Sequence, residues 1–121
     1  MARRTVAFDA NAFLLPVEHG VDVFDEVERL LGGFEAVVPR EVAREVEGFD
    51  VQGAGLARDL LDECRVVDVD GAGYGDDAVV ALAGDVDAVM TNDVELKNRL
   101  LKEGVTVLHL RGDNRLGITE A

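Results

Sequence analysis

Two lysines, one tyrosine, one cysteine and no tryptophan among 121 residues leave several functions without their parts. Cys64 has no second cysteine to pair with, which excludes an internal disulfide and a cysteine zinc site; it is expected as a small core or half-buried residue opening a strand. One Tyr and five Phe cannot build a large platform for stacking bases, which argues against intrinsic sequence recognition of a single strand. No apolar run approaches a membrane span, and MARRTVAFDANAF has neither a sustained apolar stretch nor a small-residue cleavage site. The expectation is a soluble, cytoplasmic protein of one domain over residues 1–121, with no membrane partner and one buried core.

Positive charge is the next scarcity. Against 25 Asp and Glu stand 12 Lys and Arg, a net charge of −13, and Lys97 and Lys102 are the only lysines. Acid richness with so little lysine reads as adaptation to a salty cytoplasm, where screening removes the self-repulsion that opposes folding. The same charge argues against broad non-specific binding of nucleic acid, because each phosphate contact needs a local positive group. Such a substrate requires bound cations or a localised arginine patch.

Valine-rich runs are abundant: TVAF (Thr5–Phe8), FEAVV (Phe34–Val38), CRVVDV (Cys64–Val69), VDAVM (Val86–Met90) and VTVLHL (Val105–Leu110). Bounded by Gly, Pro or Asp, they read as strands buried on both faces. Between them, Val21, Phe24, Val27, Leu30 and Leu31 recur at helical spacing, and EVAREVEGF, GLARDLLDE, DDAVVALAG and DVELKNRLLKEG continue the series. His19 falls in a loop before the first of these helices. Alternating strands and helices predict an α/β fold: a central parallel sheet with helices on both sides. In such sheets, ligands bind beyond the carboxyl ends of the strands, where strand order reverses. Asp9 follows the first strand and Asp93 the fourth, so neighbouring strands would raise both carboxylates from one edge.

Four acids carry the functional reading: Asp9 in FDAN, Glu45 in VPREVAREVE, Asp77 in GYGDDAVV and Asp93 in MTND. Each also has a bland explanation. Asp9 can form a turn or cap, Asn92 with Glu95 can make a capping box, Asp76 can cap the helix that Asp77 enters, and Glu41 and Glu45 can be solvated residues on one helix face. Gathered together, however, carboxylates raise one another's pKa unless a cation neutralises them. A hard divalent ion with oxygen ligands, Mg²⁺ or Mn²⁺, suits such a cluster.

The motifs FDANAFLLP, VPREVAREVE, GYGDDAVVALA and VMTNDVELKNRLLKEGVTVLHLR, in that order, resemble those of PIN domains, metal-dependent ribonucleases named after the PilT N-terminus. The resemblance covers nearly the whole chain and is nearest the compact archaeal branch similar to rRNA-processing PIN proteins and toxin nucleases. It implies a three-layer α/β/α sandwich around a parallel sheet. It also implies that Asp9, Glu45, Asp77 and Asp93 are the catalytic, metal-holding acids, with Asn11, Thr91, Asn92 and Asp76 in support. Asp76 can share or replace the role of Asp77, and Glu41 is the alternative to Glu45.

The chemistry implied is hydrolysis of RNA by water, assisted by one or two Mg²⁺ or Mn²⁺ ions and leaving 5′-phosphate and 3′-hydroxyl ends. Asp9 and Asp93 are expected as direct ligands, Asp77 as a ligand directly or through water, and Glu45 as the group positioning a water, while Thr91 and Asn11 orient carboxylates or water. Arg40, Arg44, Lys97 and Arg99 are candidates for guiding RNA, and His19 and His109 read as structural. A non-catalytic acidic module with the same fold is the alternative. FDAN also superficially resembles the start of haloacid-dehalogenase-like phosphatases, but Asn11 stands where their second Asp belongs, and no suitably placed lysine precedes the late acidic motif. Expected partners are the RNA substrate, an antitoxin protein or a ribosome-assembly partner, and a second copy docked through helices such as Val21–Leu31 or Gly55–Leu61.

Overall fold

The computed structural model describes residues 3–70 and 73–121. Its strands are β1 (Arg4–Phe8), β2 (Phe34–Pro39), β3 (Arg65–Val67), β4 (Ala88–Met90), β5 (Val107–Arg111) and β6 (Arg115–Thr119). The helices are α1 (Leu15–His19), α2 (Val23–Leu31), α3 (Arg40–Glu47), α4 (Ala54–Leu61), α5 (Gly75–Ala83) and α6 (Val94–Lys102), with a 3-10 turn over Ala10–Leu14. The α/β architecture is the one expected: a six-stranded sheet in the order β3-β2-β1-β4-β5-β6, parallel except for β6.

Consecutive residues along the central strands explain the layering. Val6, Ala7 and Phe8 in β1 and Ala88, Val89 and Met90 in β4 are all buried, which alternating side chains achieve only when both sheet faces are covered. Phe8, Phe13, Phe24 and Phe34 form one aromatic cluster, with Phe8 and Phe24 edge to face at 5.4 Å, so the residue just before Asp9 is anchored in the core. Cys64 is half-buried just before β3.

One strand lies outside the sequence pattern, and local expectations are corrected at two places. The chain after Leu110 forms β6, antiparallel to β5 through a turn at Gly112, whose φ is +70°. RLGIT has a charged start and a central glycine, so it lacks the valine-rich pattern that marks the other strands. His19 ends α1 rather than lying in a loop; Pro16 supplies the helical start and Gly20, at φ +66°, the stop. The strand predicted over Cys64–Val69 narrows to Arg65–Val67.

The topology also locates the switch point. From β1 the chain builds outward to β2 and β3, then returns to place β4 on the other side of β1. The crevice where strand order reverses therefore lies between the carboxyl ends of β1 and β4.

Candidate active site

Both strand ends at this crevice carry an acid. Asp9 is 3% exposed and Thr91 fully buried, and they are the buried polar residues of the described structure. The Thr91 hydroxyl donates to Asp9 Oδ2, and Asp9 Oδ1 accepts from the Ala12 N–H at 3.0 Å. Thr91 Oγ1 in turn accepts from the Asp93 N–H at 3.1 Å, and Asp93 Oδ1 accepts from the Leu96 N–H at 2.8 Å, capping α6. One hydroxyl thus links the two acids. Capping and site-building are the same act: each aspartate spends one oxygen on a helix start, which fixes its direction. The cap of α6 is Asp93, one residue beyond the Asn92 expected from the sequence, and α5 has Tyr74, not Asp76, at its N-cap position and no side-chain cap.

Burial dominates the electrostatics of Asp9. Despite the hydrogen bonds from Thr91 and Ala12, loss of water pushes its carboxyl up to about 6, and the charges of Asp76 and Asp93 add to the rise. Glu45, on α3, is raised by burial and then by Asp76. Asp76 is raised by burial and then by Asp93, with Asp77 and Glu95 adding and Arg99 opposing. Asp76 is therefore the acid of α5 that interacts with Asp9, Glu45 and Asp93. Asp77, its neighbour, pairs with Arg99 at 2.8 Å, both side chains about half exposed.

The remaining candidates divide. Asn11 and Asn92 are exposed and make no side-chain hydrogen bond among the described residues. Arg40 is held by Asp68 at 2.6 Å and Arg99 by Asp77, while Lys97 lines a small pocket with Thr91, Asp93 and His109. Arg44 is exposed near Asp68. His109 donates to or accepts from Thr119 at 2.7 Å, as expected of a structural histidine. Glu41 has a buried Oε1 without a hydrogen-bond partner among the described residues.

Gly75 is a site residue that the sequence reading passed over. A Cβ there would lie 2.1 Å from Glu45 Oε1, so the start of α5 is cut back where the Glu45 carboxylate rests against it. The signal was the glycine directly before the paired acids in GYGDD, which has meaning only once α3 and α5 are known to touch.

The donor set fits a hard cation. All the converging groups are carboxylate oxygens, and the like charges that raise Asp9 would be relieved by a positive ion. Among the described residues no three His, Cys, Asp or Glu side chains form a ready-made cage.

Comparison with known proteins agrees with the architecture. The family described as "PIN like domain" matches residues 6–113. Among solved structures, the PIN domain endonuclease Utp24 superposes with a TM-score of 0.78 at 20% identity, over 97% of this chain and 92% of that one. No curated protein matches the sequence. No helix among the described residues is long and apolar enough to cross a membrane.

Proposed function

This chain belongs to the PIN-like domain family, and from that membership we propose that it is a Mg²⁺- or Mn²⁺-dependent endoribonuclease. The observation that carries the reading is the buried Asp9 at the switch point, tied through the Thr91 hydroxyl to Asp93. A bound divalent ion supplies a Lewis acid that eases deprotonation of water and neutralises charge on the phosphate. Asp9 and Asp93 hold that ion, their free lone pairs aimed by the caps that occupy the others. Asp76, whose charge is felt at Asp9, adds charge to the site, and Glu45 orients water from the same helix side. Thr91 keeps Asp9 in register with Asp93. Asp77 acts through its pair with Arg99, at the margin of the site. The phosphatase reading lacks its second acid, because Asn11 stands two residues after Asp9 where that motif needs an aspartate.

The test is cleavage of end-labelled single-stranded RNA with Mg²⁺ or Mn²⁺ in high-KCl buffer, beside Asp9→Asn and an EDTA control. Cutting that needs the metal, yields 5′-phosphate ends and falls more than about 100-fold in Asp9→Asn is expected, since loss of a ligand should exceed the usual cost of losing a residue that merely orients one. Products ending in 2′,3′-cyclic phosphate would contradict attack by water. The biological setting we propose is RNA processing or decay, or a toxin paired with an antitoxin; a small protein encoded beside this one would decide for the latter.

A further inference from the structure

An acidic site in an acidic protein has to hold a polyanion, and most of the positive charge is already committed. Of the 12 basic residues, Arg29, Arg40, Arg65 and Arg99 are in ion pairs with Glu26, Asp68, Glu35 and Asp77. Arg3 and Arg58 donate to main-chain carbonyls. Arg4 opens β1 and Lys102 closes α6, both at the sheet edge away from the acids, and Arg44 sits near Asp68. Lys97, Arg111 and Arg115 remain, and among the described residues none of them is in an ion pair.

These three share the edge that bears the acids. Strands β4 and β5 run parallel with Met90 opposite Leu108, and the Thr91 N–H donates to the Leu108 carbonyl at 3.0 Å. His109 therefore follows the last β4 partner beside Thr91, and Arg111 ends β5 at the same carboxyl edge of the sheet. Across the hairpin, Arg111 faces Arg115 and His109 faces Gly117, so both arginines stand on one sheet face. Gly117 makes the arrangement possible: a Cβ there would come within 2.7 Å of Arg111 Nε, so the Arg111 side chain lies across β6 where only glycine leaves space. Lys97 approaches from the other side, lining with Thr91, Asp93 and His109 a pocket of about 80 Å³. The positive charges of both Lys97 and Arg111 are felt at His109, which lies between them. Beyond it, Arg111, Arg115 and Gly117 border a groove of about 290 Å³ with Arg29, which is paired with Glu26, a carboxylate that also feels the charge of Arg115. Asp113 is the one acid of the hairpin.

We propose that Lys97, Arg111 and Arg115 form a phosphate track that carries the backbone of single-stranded RNA from the acidic site out over the β5–β6 hairpin. The track rests on the nuclease reading for its substrate. It answers the charge problem locally: a row of three cations beside the acids gives the strand one favourable approach, while the rest of the surface repels it. Backbone phosphates are what the row can recognise, and the paucity of aromatic side chains leaves base identity largely unread.

Anisotropy titration of the full chain with a short fluorescent single-stranded oligoribonucleotide, in EDTA and across a KCl series, separates binding from cleavage. The Arg111→Ala/Arg115→Ala double variant should lower the slope of log K against log[KCl] by about 1.4, and Lys97→Ala alone by about 0.7, one single-strand phosphate each. Arg111→Lys/Arg115→Lys should keep the slope, and Lys102→Ala should leave it unchanged. The Lys97 and double-lysine variants retain a reading if the double alanine fails to fold. Slopes equal to the parent's in the alanine variants, or no binding by the parent, would overturn the track. If the parent cuts RNA while those slopes stand unchanged, the track is wrong and the nuclease reading survives. If the parent never cuts but the slopes fall as stated, the track stands as an RNA surface and the nuclease reading falls.

Discussion

The two walls of the acidic crevice are built on opposite terms. On the strand side, Asp9, Thr91 and Asp93 are tied to one another and to helix starts by four hydrogen bonds, and the first two are buried. On the helix side, Glu45, Asp76 and Asp77 are exposed, and Asp77 is in an ion pair with Arg99. The buried wall fixes direction at the cost of desolvation; the exposed wall contributes charge that can adjust to what arrives. Rigidity and charge density come from different halves.

The sharpest way to break that comparison is pH. Asp9 binds its proton more tightly in the folded chain, at about 6, than its ordinary 3.8 in the unfolded one. In EDTA, the stability this proton brings is therefore whole below about pH 4 and is lost as pH rises toward 6, about 2–3 kcal/mol in all. Glu26, held down to about 2 by Arg29 and the Leu116 N–H, acts in the opposite sense at lower pH. Subtracting the curve of Asp9→Asn cancels Glu26 and should leave the fall between pH 4 and 6. A flat difference in chemical denaturation would mean that Asp9 is not desolvated, and the contrast between the walls would go with it.

Next in size is the linker between the two buried acids. Thr91→Val keeps the shape and removes the hydroxyl, leaving Asp9 Oδ2 and the Asp93 N–H unanswered. RNA cleavage should drop by about 10–100-fold, as for other groups that orient a ligand, whereas Thr91→Ser should restore most of it. Equal loss in both variants would assign Thr91 to packing alone.

The exposed wall should respond more gently and unequally. Asp76→Asn removes the charge felt at Asp9 and Glu45 and should weaken Mn²⁺ binding several-fold more than Asp77→Asn, read by calorimetry. The reverse ranking would place Asp77 in the crevice. Smallest of all, Gly75→Ala should change folding stability by less than about 1 kcal/mol, because the displaced neighbour is the end of a flexible side chain and alanine favours helix. It should still reduce cleavage, since the Glu45 carboxylate must move aside. Unchanged cleavage would free Glu45 from any positioning role.

Much of this was written locally. Valine runs ending in Asp or in T-N-D identified β1, β4 and the acids that follow them, because strand alternation and helix capping depend on residues close in sequence. The α/β class followed from the alternation of the two patterns, and the motif order pointed to the family. What the sequence could not phase was rotation and pairing. One step along a helix turns a side chain by about 100°, so which of two adjacent aspartates faces the crevice depends on how α5 is set against the sheet. The pairing of Arg40 and Arg99 with acids distant in sequence was equally invisible, as was the β6 hairpin, whose glycine makes a poor strand until Arg111 needs the space. Local chemistry determined which groups this protein owns; only the packing of helix on sheet decided which of them meet, because meeting is a property of distances that the chain closes in three dimensions.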